Sequence, residues 1–419
     1  MNRVSEEGLI RLFTGLQESR FELKGFRVDG DCWVYEVEPD DRPRLCSICG
    51  HEAEKHKSQK IWLKDIPLGI QAREVWLQVR RYQVWCEACH TLVVEKMPFR
   101  GKSGRITRRL ELYIEELVST KMVTVKDLSK MFGLDWDTIY RIDMNLLMRR
   151  YQEMEKPNPR HIAVDEKSFK KGHSYVTVIT DTDREEVIYV SEGRSKKALD
   201  EFFIWLGPNR CRAIETIAMD LHPDYHASAR EYIPHALHVP DKFHIMQRLN
   251  QAMDEAFREL TFKQTGTLAY GLPRDIRWLI RRNMGNQSEI KMEKLERLKE
   301  VNESLFEAYL LKDFFTNFFL FKAREIKQAE QFLVDWVVEA LKTGLKAFED
   351  FALYVRKNIG LLLNVIRTER TSSICEGINT KISVIKRMAY GYRNIHYFML
   401  KILQRCGVLG NPVGHPKSS

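Results

Sequence analysis

Between residues 161 and 260, eight hydrophobic segments follow one another in an order that few architectures accommodate. HIAVD, SYVTVITD and EVIYVSEG read as three successive strands with short polar connections. Helix KKALDEFFIWL, strand ETIAMD, helix PDYHASAREYI, strand ALHVPD and helix FHIMQRLNQAMDEAFREL come next. The order β-β-β-α-β-α-β-α predicts a mixed sheet with an antiparallel start and parallel strands joined by helical crossovers.

Carboxylates fall at telling points of that pattern. Asp165 closes the first strand and Asp220 closes the fourth. These two strands can be neighbours in such a sheet, which brings the two acids together. A third acid, Glu376, lies in SSICEGINTKISVIKR, expected to be helical from about 373 to 388. Ile378, Ile382 and Ile385 form its apolar stripe, while Glu376, Asn379, Thr380, Ser383 and Arg387 share the opposite face. Packed on the sheet, this helix would deliver Glu376 to the aspartates. Each acid alone reads most simply as a strand-end cap or a surface charge. Three converging carboxylates repel one another unless a cation lies between them, and hard oxygen ligands suit Mg²⁺ or Mn²⁺. A pair of such ions ~4 Å apart supports in-line phosphoryl transfer. Lys167, Lys170, Lys171 and His173 follow Asp165 closely, as expected where a cation-binding acid meets a polyanion.

Charge distribution names the polyanion. The 67 basic and 58 acidic residues leave +9, a weak signal by itself. Residues 55–109, however, carry 13 Lys/Arg against 4 Asp/Glu, and after Glu376 there are 7 Lys/Arg and no acid. Two concentrated basic zones fit a phosphate backbone, whereas the mixed-sign helices of 289–350 fit a solvated surface. The N-terminus lacks a signal-peptide pattern and no stretch reaches the ~18 apolar residues of a membrane span. The expectation is an intracellular protein whose cysteines are reduced thiols or metal ligands.

Cys46 and Cys49 form one C-x-x-C, and Cys86 and Cys89 form another. Two such pairs suit one tetrahedral, structural Zn²⁺; a redox reading needs only one pair and a thioredoxin-like context that is absent. His51 and His90 adjoin the pairs as alternative ligands, while Cys32, Cys211, Cys375 and Cys406 read as buried or incidental. Further on, TVKDLSKMFGLDWDTIYRIDMNLLMRR suggests two helices joined by a turn at Gly133, the second capped near Asp135. Val125, Leu128, Met131, Leu134, Ile139 and Ile142 are its expected core; Trp136, Thr138 and Arg141 are expected to face a DNA major groove. A plain αα-hairpin has the same pattern, and the neighbouring basic zone favours the DNA-binding reading.

The stretches AVDEKSFKKGHSYVTVITD, EGRSKKALDEFF, AMDLHPDYHASAREYIPHALHVPDKFH and CEGINTKISVIKRMAYGYRN together resemble insertion-sequence transposases of the ISL-three type. That resemblance covers nearly the whole chain. It implies a DDE transposase with an RNase H-like catalytic fold, in which Asp165, Asp220 and Glu376 are the catalytic, magnesium-binding triad. In PDKFH, Asp241 and His244 match the family's pattern and Lys242 departs from it; these two residues would assist the site or serve its hydrogen bonding. SSIC before Glu376 also departs from the family's pattern. Lys167, Lys170 and Lys171 would then contact DNA, as would Arg194, Lys196 and Lys197, and Lys386, Arg387, Tyr390, Tyr392 and Arg393 near the C-terminus. The implied architecture is multidomain α/β: an N-terminal segment (1–40), a zinc-binding domain (41–100), a helix-turn-helix domain (101–155), a catalytic core (156–254), a helical insertion (255–370), and a core helix with a basic tail (371–419). The expected activity is metal-dependent cleavage and strand transfer at terminal inverted repeats, by a homodimer or larger assembly in the bacterial cytoplasm, associated with the nucleoid. A structure-specific nuclease and a DNA-binding regulator with an inactive core are the rival readings.

Overall fold

The computed structural model describes residues 16, 19–68, 73–120, 123–170, 174–262, 276, 280–281, 298–368 and 373–410. Lys171, His173, most of the first 18 residues of the N-terminal segment and the side chain of Cys375 lie outside the described residues. The chain divides into two compact units, Met1–Met154 and Glu155–Ser419.

The first unit is built on a sheet of β1 (Phe21–Asp29), β2 (Cys32–Pro39), β3 (Arg44–Leu45), β4 (Glu52–Leu68), β5 (Arg73–Cys86) and β6 (Thr91–Val94). Its order is β1-β2-β5-β4-β3, with β6 also paired to β5. Alternation in VWLQV buries Val75, Leu77 and Val79 with Val37, Leu63, Phe21 and Phe99 on one face. This sheet runs through the boundary expected at residue 40, because β2 pairs in parallel with β5. The described strands of segment 1–40, β1 and β2, therefore share one sheet with β5.

Three helices follow: Arg108–Ser119, Val125–Phe132 and Trp136–Glu153. Thr107 caps the first by accepting from the Leu110 amide, and its hydroxyl donates to the fully buried Asp65 of β4 at 2.5 Å. Arg109 closes on the same carboxylate, with its Nε 2.7 Å from Oδ1, so helix and sheet are joined by a charged, hydrogen-bonded pair. The turn expected at Gly133 is present, in the left-handed conformation (φ 56°) that ends a helix without a Cβ penalty. Leu128, Phe132, Ile139, Ile142 and Leu146 form the shared core. Met131, expected in that core, is 59% exposed, and Phe132 takes its place. On the helix Phe132 is turned about 40° from Leu128 and Met131 about 60° the other way, and the core lies on the Phe132 side.

In the second unit, β7 (His161–Lys170), β8 (Ser174–Asp181), β9 (Glu186–Glu192), β10 (Thr216–Met219) and β11 (Leu237–Pro240) form a sheet of order β11-β10-β7-β8-β9. β7, β8 and β9 are antiparallel; β7, β10 and β11 are parallel, as the order of segments predicts. Helices Lys196–Leu206 and Pro223–Tyr232 cover one face, packing Leu199, Phe202, Phe203 and Tyr225 on Ile162, Val164, Ile217 and Met219. A separate apolar core around Phe315, Trp336, Phe348 and Phe351 holds helices Glu303–Phe315, Ile326–Lys342 and Lys346–Thr368 against Lys242–Phe262. That last helix runs unbroken through residue 254, so the core boundary expected there falls inside one element. The helix expected at 373–388 is present as Ser373–Met388, followed by Ile395–Cys406.

Candidate functional site

Four cysteines meet beyond the end of β5. Cys46 and Cys89 Sγ are 3.9 Å apart, Cys49 and Cys86 Sγ are 3.5 Å apart, and all four lie within 4.8 Å of one another. A tetrahedron with ~2.3 Å metal–sulfur bonds has edges of about 3.8 Å, so the four sulfurs already stand at ligand spacing. The sequence supplies each knuckle with a left-handed residue just after its second cysteine, Gly50 (φ 79°) and His90 (φ 51°). The Ile48 amide donates to Cys46 Sγ at 3.4 Å. Cys49 is pushed down to about 6, first by the His51 amide and then by Cys89. Cys89 is pushed up to about 12, first by its hydrogen bond with Cys49 and then by burial and the other two sulfurs. Four thiolates this close repel, and a soft dication is what lets them coexist. Neither His51 nor His90 belongs to the cluster.

On the Trp136–Glu153 helix, Trp136 is 48% exposed and stacks on Tyr140 at 5.0 Å and 11°. Arg141 is also exposed. Thr138 does not face outward: it is 4% exposed, its amide donates to Asp135 Oδ1 and its hydroxyl to Oδ2, both at 2.7 Å. Two residues along a helix turn the side chain by about 200°, so Thr138 and Trp136 take opposite sides, and Thr138 serves the N-cap.

Asp165 sits in the middle of β7 rather than at its end, because the strand continues to Lys170. Its side is set by the pleat. Ala163 pairs with Ala218 across the parallel β7–β10 ladder. Two residues further along come Asp165, still within β7, and Asp220, the first residue after β10 ends at Met219, so the strand period directs both toward one side. The neighbouring Glu166 takes the other face, toward Tyr225, whose hydroxyl lies 3.1 Å from Thr177. Asp165 accepts hydrogen bonds from the Glu166 amide at 2.7 Å and from the Asn379 side-chain amide, and Lys167 lies 3.6 Å away. Asp220 Oδ1 is buried with no hydrogen-bond partner among the described residues, although the residue as a whole is half-buried. Burial pushes Tyr354 up to about 12; Arg248, over its ring at 4.8 Å, opposes that rise and Asp220 adds to it. Ile378, Ile382 and Ile385 are buried as expected, and Glu376 is exposed one turn before Asn379. Among the described residues the four cysteines are the one group of three or more such side chains whose ligand atoms all lie within 4.8 Å of one another, so Glu376 is not drawn onto both aspartates. An unpartnered buried carboxylate oxygen fits a hard cation.

Asp241 caps the Lys242–Phe262 helix: its Oδ1 accepts from the Phe243 amide at 2.8 Å, and Oδ2 lies 3.9 Å from His244 Nε2. Lys170 donates to the Arg393 carbonyl at 3.4 Å and Lys386 to the Ser168 carbonyl at 2.7 Å, tying the C-terminal segment to β7. Arg194 lies over the Tyr175 ring at 4.5 Å, and Lys197, Arg387 and Arg393 are exposed. Lys196, expected at a phosphate, instead bridges Asp200 and Glu231 at 2.8 Å each. Tyr390 is 94% exposed, whereas Tyr392 packs on Tyr397 and Phe398.

Residues 162–402 match a family model described as a transposase, and residues 95–146 match the helix-turn-helix domain of transposase family ISL3. The chain belongs to transposase family ISL3. It is 29% identical over 372 residues to the transposase for insertion sequence element IS1001 of Bordetella parapertussis, covering 87% of this chain and 89% of that protein. It is 25% identical over 407 residues to the transposase for insertion sequence element IS1557 of Mycobacterium tuberculosis, covering 90% and 89%. No helix among the described residues of this ISL3 transposase is long and apolar enough to cross a membrane.

A buried histidine pair behind Asp220 had no signal in the sequence. His226 and His238 approach Nδ1 to Nδ1 at 3.0 Å, and His226 Nε2 is buried without a partner. Burial, then the charges of His238 and Arg230, push His226 down to about 4 from its ordinary 6.5, against the pull of Asp220; burial also lowers His238. A folded state that keeps these rings neutral is fully stabilised above pH 6.5 and loses that contribution as pH falls toward 4. The expected loss from His226 is on the order of 3 kcal/mol. Thermal melts of the ISL3 transposase and His226→Gln across that window check this; equal acid slopes would contradict it.

Proposed function

We propose that this transposase binds the terminal inverted repeats of its own insertion sequence through the cysteine and helix-turn-helix modules, cleaves the DNA at each end, and joins it to target DNA. Asp165, Asp220 and Glu376 are the catalytic triad. The observation that supports this reading is that β7, which holds Asp165, and β10, which Asp220 directly follows, are adjacent and parallel, with one Asp220 oxygen buried and unpartnered among the described residues. The strand order, three antiparallel strands followed by two parallel ones, supports an RNase H-like core, with the helices between Lys242 and Thr368 inserted before the Glu376 helix.

Asp165, Asp220 and Glu376 would hold Mg²⁺ or Mn²⁺, which would supply activation of the attacking hydroxyl and stabilisation of the leaving oxygen. Asn379 holds Asp165 in place through its side-chain amide, and the Ile378–Ile382–Ile385 stripe fixes the helix that carries Glu376. Lys167, Lys170, Arg194, Lys386, Arg387 and Arg393 contribute positive charge toward the DNA backbone, and exposed Tyr390 a stacking surface. Asp241 acts through its helix cap rather than on substrate, with His244 beside it. The four cysteines hold a structural Zn²⁺. Pairing two ends requires a homodimer or larger assembly on DNA, in the bacterial cytoplasm.

The test is divalent-metal-dependent cleavage of DNA carrying the element's own ends. Cutting at the ends by the parent and none by Glu376→Gln is expected. Cleavage governed by DNA structure instead of end sequence would favour a nuclease. Tight end binding by both proteins with cleavage by neither, even with Mn²⁺ and paired ends, would favour a DNA-binding regulator.

A further inference from the structure

β4 is unusual for a strand of 17 residues, because residues 54–60 are exposed without interruption. Alternate residues of a strand point to opposite faces, so this stretch buries neither. It pairs with the Arg80–Trp85 part of β5, and on its far side β4 is bonded at Glu52 and Ala53 to β3 and at Lys64 to the segment around Ile106, which leaves residues 54–60 without a neighbouring strand on that side among the described residues. A ribbon of this kind is marginal in water by itself, and here it is pinned at both ends. At one end stand the four cysteines; at the other, Lys64 pairs with Glu74 at 2.5 Å and donates to the Gly133 carbonyl at 3.5 Å, in the turn of the helix-turn-helix. The ribbon thus belongs to the same compact unit as the Trp136–Glu153 helix, joined to its turn through Lys64.

Its chemistry is basic and aromatic. Lys55, His56, Lys57 and Lys60 stand against one acid, Glu54, and β5 adds Arg80, Arg81 and Tyr82, with Lys55 lying over the Tyr82 ring at 5.1 Å. Arg80 pairs with Glu38 and Arg81 with Gln59. A register shift between Lys55 and Lys57 makes His56 a bulge, which increases local twist. From Glu54 to Lys64 the strand covers about 30 Å, close to the ~34 Å of one duplex turn. The B-DNA major groove is wide enough for a two-stranded ribbon.

We infer that the Lys55–Lys60 ribbon is a second DNA-contacting element that lies along the terminal-repeat duplex, its cysteine end about one helical turn from the recognition helix. The inference rests on the end-binding reading above and adds the surface and the reach. Lysines on an open strand edge also prevent sheet-to-sheet association, but glutamates do that equally well. Charge sign therefore separates the two roles.

The experiment uses the full chain, a labelled duplex carrying the element's own end, and the triple variants Lys55→Glu/Lys57→Glu/Lys60→Glu and Lys55→Arg/Lys57→Arg/Lys60→Arg. The glutamate variant should bind at least ~10-fold more weakly, with the salt dependence of log K reduced by about 2 to 3 for three lost phosphate contacts. Hydroxyl-radical protection should disappear about one turn from the recognition-helix footprint and persist under that helix. The arginine variant should match the parent. Unchanged metal content and melting temperature establish that each variant folds. Parent-like affinity, salt slope and footprint in the glutamate variant overturn the inference and leave the functional reading standing. Absence of end-specific binding by the parent overturns both.

Discussion

Asp220→Asn should lower metal-dependent end cleavage by about 10³-fold or more, while leaving end binding intact and stability unchanged or raised. Loss of one carboxylate ligand removes several kcal/mol of charge stabilisation at the reacting phosphate, and each 1.36 kcal/mol is tenfold in rate. The stability half of the expectation comes from the folded protein itself. Asp220 Oδ1 is buried without a hydrogen-bond donor, beside the face that also carries Asp165. An unpaired buried anion costs folding energy, and a neutral amide of the same shape relieves part of that cost. Asp165 differs, because Asn379, Lys167 and the Glu166 amide already satisfy it. Asp165→Asn should abolish cleavage as severely but gain no stability. Single-turnover cleavage with Mn²⁺, and melts in magnesium-free buffer, separate the two effects. A variant of Asp220 that cleaves at the parental rate would remove it from the triad.

The parts of this molecule legible in the sequence are those set by local period and by strand order. Ile378, Ile382 and Ile385 repeat at helical spacing, and their burial follows directly. The adjacency of β7 and β10, the strands that lead to Asp165 and Asp220, was readable because a crossover after three antiparallel strands places the fourth strand beside the first. Thr138 misled because a residue at a helix N-terminus is committed to the cap before its position on the helix wheel matters. Met131 misled because one position changes the helical face by about 100°. Arg248, Tyr354, His226 and Asn379 reach the acids from elements far apart in the chain. Their meeting depends on how the helices of the second unit pack, and no local pattern encodes that. The exposed ribbon was hidden for the opposite reason, since pattern reading looks for a face to bury and residues 54–60 bury none.

Removing zinc should have the largest effect on the first unit. The as-purified protein is expected to release about one equivalent of Zn²⁺ per chain when its thiols are titrated with a mercurial. Cys86→Ser should lower the melting temperature of the first unit by at least ~10 °C, given the binding energy of structural zinc and the temperature shift expected per kcal/mol. The reason lies in where the apolar residues are. Val37, Leu63, Val75, Leu77 and Val79 give the sheet a core at its helix-turn-helix end. Beyond Ile61 and Val79, toward the cysteines, the β4–β5 ribbon is exposed on β4 and held by β6 and the two knuckles. With the metal gone, four sulfurs 3.5 to 3.9 Å apart within each close pair have nothing to offset their repulsion once ionised. The knuckles then open and the ribbon loses one of its two pins. Proteolysis should consequently begin between the cysteine pairs and the exposed part of β4, not at the Asp65–Thr107–Arg109 junction. Four thiols that react freely in the untreated protein, with no zinc released, would rule out a metal centre at this position. Early cleavage at the helix junction instead would mean that the cysteines do not support the ribbon.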